Sequence, residues 1–142
     1  MPITINGLCL TPILADGATV EAEDVRWQEG DKDPPVELRR GDIVMADITG
    51  YGLQVKIVRA VPGDVFEVEN GRIFINGRKL KNNEGAEYRV NDRAARRFSM
   101  YEPIIPPDNY LLLTNIIIGR DDSRRWGLIH RKQIKARIIK EK

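Results

Sequence analysis

The chain has 142 residues, enough for one domain with a real core, and its 42% apolar and 31% charged fractions are those of an ordinary folded protein. A single cysteine, Cys9, and a single histidine, His130, exclude an internal disulfide and any multi-thiolate or multi-histidine metal site. The net charge is only +2, yet residues 1–37 carry eight acids and two bases while residues 115–142 carry nine bases and three acids. Either the two ends lie side by side and neutralise one another, or the basic end faces an acidic partner or anionic lipid. No interleaving of aromatic and basic residues accompanies the charge, so no nucleic acid partner is expected. No stretch approaches the length of a membrane-spanning helix, and the start, Met1-Pro2-Ile3-Thr4, lacks the pattern of a signal peptide.

In chain order, strand signals dominate. Residues 3–6 alternate briefly. Gly41-Asp42 introduces an apolar strand at 43–46, and a Gly50-Tyr51-Gly52 turn leads into the long run 53–61. Strands at 65–68, 73–75 and 79–80 are separated by Asn70-Gly71 and Asn76-Gly77. Asn and Gly tolerate the positive φ of tight reverse turns, so these two steps predict consecutive hairpins. Only Asp92–Phe98 looks helical, with Asp92 as the expected N-cap and Ala94-Ala95 as helix formers. The apolar runs 110–114 and 116–118 read as a buried strand, and 127–129 and 136–139 complete the set. His130 is expected at a strand end on the surface. Residues 29–35 and 81–107, with their prolines, read as loops. The pattern predicts one all-β domain over residues 1–142, mostly antiparallel and partly closed like a barrel, with long loops.

Within the run 53–61, one residue is out of place. Lys56 shares a strand face with Val58 and Ala60, opposite Val55, Ile57 and Arg59. Lysine is rarely buried without a partner. One reading puts Lys56 on a solvated face; the other makes it a desolvated lysine kept neutral for base chemistry.

Four blocks decide what this lysine resembles. They are Gly7-Leu8-Cys9-Leu10-Thr11-Pro12-Ile13-Leu14; Gly41-Asp42-Ile43-Val44; Lys56 with Pro62-Gly63-Asp64; and Asp122-Ser123-Arg124-Arg125-Trp126-Gly127. Their order and residues resemble the type I signal peptidases, the membrane-associated Ser/Lys endopeptidases, over nearly the whole chain. The resemblance implies that family's β-rich catalytic fold. It puts the nucleophile at Cys9, where the family has serine, and the general base at Lys56. Asp122 and Arg124 fall on the carboxylate–guanidinium pair that braces the site. Pro12 and Ile13 fall near the pockets that select small side chains, and Leu53, Gln54 and Val55 on the strand that pairs with the substrate backbone. Leu10, Ile13, Arg120 and the run Leu113-Thr114-Asn115 depart from the family pattern. Ser99-Met100-Tyr101-Glu102-Pro103 looks like a second nucleophile block, but it follows Lys56 instead of preceding it and reads as loop.

Peptide hydrolysis by such a dyad needs a nucleophile, a neutral base and donors for the oxyanion. A free lysine titrates near ~10.4, and an apolar setting favours its neutral amine. A free thiol titrates near ~8.5, so a close Cys–Lys pair can rest as thiolate and ammonium, with lysine serving mainly as acid to the leaving amine. Gly7 and the Cys9 N–H are the candidates for the oxyanion site, since glycine permits close backbone approach. Cys9 could equally be a small buried hydrophobe, or a serine changed in the laboratory. The resemblance implies no cofactor and no metal. It implies a precursor protein or leader peptide as substrate, secreted or pilus-type, and a membrane surface as a further candidate partner. It places the catalytic domain at the outer face of the bacterial cytoplasmic membrane, with the family's anchor expected to be absent ahead of Gly7. Two alternatives stay open: a catalytically silent peptide-binding domain on the same fold, motivated by the joint departures at Cys9, Arg120 and residues 113–115, and a relative of the self-cleaving Ser/Lys repressors, for which no DNA-reading helix pair is present.

Overall fold

The computed structural model describes residues 2–4, 17–118 and 121–141. Ten strands run as β1 (Pro2–Thr4), β2 (Thr19–Asp24), β3 (Ile43–Ile48), β4 (Gly52–Ala60), β5 (Phe66–Glu69), β6 (Arg72–Ile75), β7 (Arg78–Lys79), β8 (Asn109–Leu113), β9 (Ile129–His130) and β10 (Ile134–Glu141). Two short helices, α1 (Asp92–Phe98) and α2 (Ser123–Trp126), and a 3-10 turn at Arg131–Gln133 complete the described chain. Seven strands form one sheet in the order β1-β2-β10-β3-β4-β8-β9, and β5-β6-β7 form a second. Every strand pairing is antiparallel. The all-β antiparallel expectation therefore holds, without closure into a barrel among the described residues. None of the described helices is long and apolar enough to cross a membrane.

The Asn-Gly steps do what their chemistry predicts. Asn70 and Gly71 sit at φ 51° and 72°, and Asn76 and Gly77 at φ 53° and 81°, turning β5 into β6 and β6 into β7. Other expectations need correction. β2 is absent from the strands the sequence pattern predicts: its sequence Thr-Val-Glu-Ala-Glu-Asp buries Val20 and Ala22, leaves Glu21 and Glu23 half-buried and exposes Asp24. It pairs with β10, where Arg137 reaches Glu23, so the acidic start and basic end of the chain do lie side by side. The N-cap of α1 is Asn91, not Asp92; Asn91 Oδ1 accepts from the Ala94 N–H at 2.8 Å. Ile116 and Ile118 are no part of a buried strand. The strand stops at Leu113, and the two isoleucines are 42% and 72% exposed.

β8 divides the core. Leu111 and Leu113 face a cluster with Phe66, Ile73, Tyr88 and Phe98, while Tyr110 and Leu112 face Val44, Ala46, Val58 and Ile134. This is period-two alternation with both faces buried, which is why the segment reads as a continuous apolar run. Phe66 and Phe98 meet edge-on at 4.9 Å, fixing α1 against the smaller sheet. A third cluster, around Val20 and Ile57, lies on the opposite face of the large sheet.

The Pro62-Gly63-Asp64 step joins the two sheets. Asp64 is buried; its Oδ2 accepts from Arg40 Nε and the Val61 N–H, both at 2.9 Å, and its Oδ1 from Arg40 and from Asn76 Nδ2. Burial works against its ionisation, but the Arg40 guanidinium, the Val61 N–H and the Asn76 amide outweigh it and hold the carboxyl below the usual aspartate range. A depressed folded pKa stabilises the fold fully above the unfolded value of ~3.9 and loses that effect as pH falls through the folded pKa. Asp64→Asn is accordingly expected to lower stability by about 1–3 kcal/mol at pH 7. Urea titration should show the gap between the two proteins closing below about pH 4; a gap that stays constant with pH contradicts this assignment.

Candidate active site

Lys56 sits in the middle of β4, opposite Val44 of β3, and is 3% exposed. Its neighbour on the same face, Val58, is fully buried, so the solvated-face reading is overturned; a bulge after Val58 turns Ala60, expected on this face, to the cluster on the other side of β8. What covers it is Trp126, the last residue of α2: Lys56 Nζ stands 5.7 Å from the centre of a Trp126 ring. Among the described residues its ammonium has no carboxylate partner within salt-bridge distance. An indole face accommodates an ammonium without neutralising it and keeps water off it when it is free. Trp126 in turn packs on Tyr51, ring centres 5.3 Å apart, and Arg125 lies over the other aromatic partner, 5.3 Å from the Tyr51 ring.

The position of Trp126 depends on the pair that precedes it. Asp122 and Arg124 are almost fully buried and joined at 2.7 Å. Asp122 caps α2 by accepting from the Arg124 N–H at 2.9 Å and reaches across to the Thr114 N–H, also at 2.9 Å. Arg124 uses its remaining donors on backbone: the carbonyls of Arg89 and Ile117 from one nitrogen, that of Ile116 from the other. Ser123 Oγ accepts from the Leu112 N–H at 2.9 Å. A four-residue helix has no stability of its own. These bonds hold α2 to the end of β8, and so hold Trp126 against Lys56. Tyr88 extends the network: its hydroxyl donates to the Thr114 carbonyl at 2.6 Å and accepts from Arg59 Nε, while the Arg124 guanidinium lies 5.3 Å from its ring. Burial pushes the Tyr88 phenol up, so it stays a neutral donor.

Leu53, Gln54 and Val55 precede Lys56 on β4 and pair with Asp47, Ala46 and Met45 of β3. Toward β8, pairing begins only at Ile57, so on that side residues 52–56 have no strand partner among the described residues. Leu53 is 60% exposed and, with Met45 and Ala22, lines an open groove of about 720 Å³. Gly7, Cys9, Pro12, Ile13 and Arg120 lie outside the described residues. The structure thus brings together Lys56, the residues 53–55 and the block carrying Asp122 and Arg124. Sequence reasoning passed over Trp126, Tyr88 and Thr114 as site residues; only Trp126 carried a signal, its place inside the Asp-Ser-Arg…Trp-Gly block. His130 does end a strand, as expected, and its Nδ1 accepts from the Lys132 N–H.

The site is thus a buried lysine on a strand whose residues 52–56 have no partner toward β8 among the described residues, next to a block braced by a buried ion pair. Comparison with known proteins gives this β-domain a family. The family model for signal peptidase, peptidase S26, matches residues 1–140. Signal peptidase IB of Staphylococcus aureus (strain COL) is 30% identical over 149 aligned positions, covering 96% of this chain and 74% of its own. A protein named inactive signal peptidase IA, from S. aureus (strain MRSA252), is 27% identical over 103 positions, covering 72% of this chain and 59% of that protein. The crystal structure of a signal peptidase I from Enterococcus faecalis V583 superposes with a TM-score of 0.47 at 18% identity, covering 70% of this chain and 94% of that one. The chain belongs to the signal peptidase family, peptidase S26.

Removing one partner of a buried pair leaves the other charge unpaired, at a cost of about 3–5 kcal/mol. Arg124→Ala is therefore expected to destabilise the protein by that order in chemical unfolding, whereas Arg125→Ala, half exposed beside Asp121, should change stability by less than about 1 kcal/mol. Equal effects from the two variants contradict the assigned role.

Proposed function

We propose that this chain is a signal-peptidase-type endopeptidase that cleaves leader peptides or secreted or pilus-type precursors through a Cys9/Lys56 pair. The observation that carries the reading is Lys56: 3% exposed, set against the Trp126 indole, without a carboxylate among the described residues, and adjacent to a strand segment open for pairing. A peptide added along residues 53–55 would place its scissile bond near Lys56, with main-chain hydrogen bonds giving affinity and pockets near Pro12 and Ile13 admitting small side chains. Cys9 sulfur would attack the carbonyl carbon. Lys56 would hand a proton to the departing amine, then take one from the water that releases the acyl group. The Gly7 region and the Cys9 N–H would receive the oxyanion.

The second reading is a silent peptide-binding domain on the same fold. It is favoured by cysteine at the serine position and by the similarity to a protein whose name calls it inactive. One assay separates the two. A precursor peptide with small residues at the cleavage site is incubated with the protein, with Cys9→Ala, with Cys9→Ser and with Lys56→Met. Cleavage by the parent, lost by at least about 100-fold in Cys9→Ala and Lys56→Met, is the expected outcome. Absence of cleavage by both the parent and the Cys9→Ser form, each folded by circular dichroism, removes the peptidase reading and leaves the binding domain.

A further inference from the structure

Between α1 and α2 a recess of about 230 Å³ is lined by Asn91, Arg93, Ala94, Arg97, Arg124 and Arg125. Four guanidiniums around one small space repel each other unless something neutralises them. Two are accounted for. Arg124 is paired with Asp122 and its donors are spent on Asp122, Thr114 and three backbone carbonyls. Arg125 meets Asp121 at 3.2 Å in an exposed contact and lies over the Tyr51 ring, so its charge is matched and its guanidinium is committed elsewhere. Arg97 donates to the Arg124 carbonyl and has no carboxylate among the described residues, and neither has Arg93. Asn91 spends its oxygen on the cap of α1, so its side-chain amide nitrogen adds another donor. The acceptors at the recess are thus already engaged, while donors and positive charge are in surplus.

Such a lining fits a compact oxyanion with several acceptor oxygens. Planar guanidinium forks match phosphate bidentately, and two uncompensated arginines match its charge. The surroundings favour one source. Ile116 and Ile117 offer the carbonyls that hold Arg124, and on this same segment Ile116 and Ile118 are 42% and 72% exposed. Exposed isoleucines next to a basic recess suit the boundary between lipid headgroups and acyl chains. We propose that Arg93 and Arg97, with Asn91, form a phosphate-binding site that the headgroup of an anionic phospholipid fills at a membrane surface. The site does not depend on the peptidase reading. It does share α2 with Trp126, so a bound headgroup would hold the Lys56 face at a set distance from the lipid.

The test separates a built site from a diffuse basic patch. The full chain is sedimented with phosphatidylcholine vesicles with and without 30% phosphatidylglycerol, a composition chosen as roughly that of a moderately anionic surface. The comparison uses Arg93→Lys, Arg97→Lys and Arg96→Lys. All three keep the charge and lose the fork, but Arg96 does not line the recess. The expected result is binding that requires phosphatidylglycerol and falls about fivefold or more in Arg93→Lys and Arg97→Lys, with Arg96→Lys unchanged. Equal binding by all four proteins overturns the site, and absence of binding by the parent overturns the lipid assignment. Inorganic phosphate provides the second arm. Thermal stabilisation by phosphate over chloride at matched ionic strength, abolished in Arg93→Lys, supports the site; the same stabilisation without vesicle binding overturns the lipid assignment and leaves a soluble phosphate as occupant.

Discussion

The Asp122–Arg124 pair is the constraint on which the rest of this structure leans. Both groups are out of water, and a buried charge is tolerated only when its partner and its hydrogen bonds are in place. Here they are: two carboxylate oxygens and one guanidinium tie the end of β8, the segment after it, the backbone at Arg89 and the start of α2 to one point. The pair does its work through geometry more than through net energy. It turns a four-residue helix, which could not persist alone, into a fixed mount for Trp126 and Arg125, which both pack on Tyr51.

From that mount the chemistry follows. Trp126 closes over Lys56, which is buried with no carboxylate at salt-bridge distance among the described residues. β4 meanwhile runs five residues past the start of its pairing with β8, offering backbone groups beside the lysine. In the proposed Cys9/Lys56 pair, a thiol where the family has a hydroxyl would change which group holds the proton. Thiols are more acidic than lysine, so in a close pair the proton can rest on the amine before the substrate arrives. Lysine then matters most when the amine leaves.

How much of this was legible in the sequence varies with the range of the interaction. The hairpins were readable because Asn70-Gly71 and Asn76-Gly77 act within four residues of themselves. The buried run at 110–113 was readable because both faces of β8 are covered. β2 escaped because its acids, Glu21, Glu23 and Asp24, mask an alternation that only its pairing with β10 explains. Ile116–Ile118 misled because apolar residues leaving a strand look the same as apolar residues within it. The burial of Lys56 was undecidable from its own strand. Alternation assigns it a face, but what covers that face comes from Trp126, seventy residues away in the chain, by way of an ion pair whose partners are only two residues apart.

The proposed peptidase requires that Lys56 and Cys9 share one proton-transfer unit. The most direct measurement is the rate of Cys9 alkylation by iodoacetamide against pH, in the parent and in Lys56→Met. The account predicts that the parent reacts well below the pH at which a free thiol ionises, near ~8.5, and that Lys56→Met loses this low-pH reactivity. Superimposable profiles, or a thiol unreactive in both proteins while native, would contradict it.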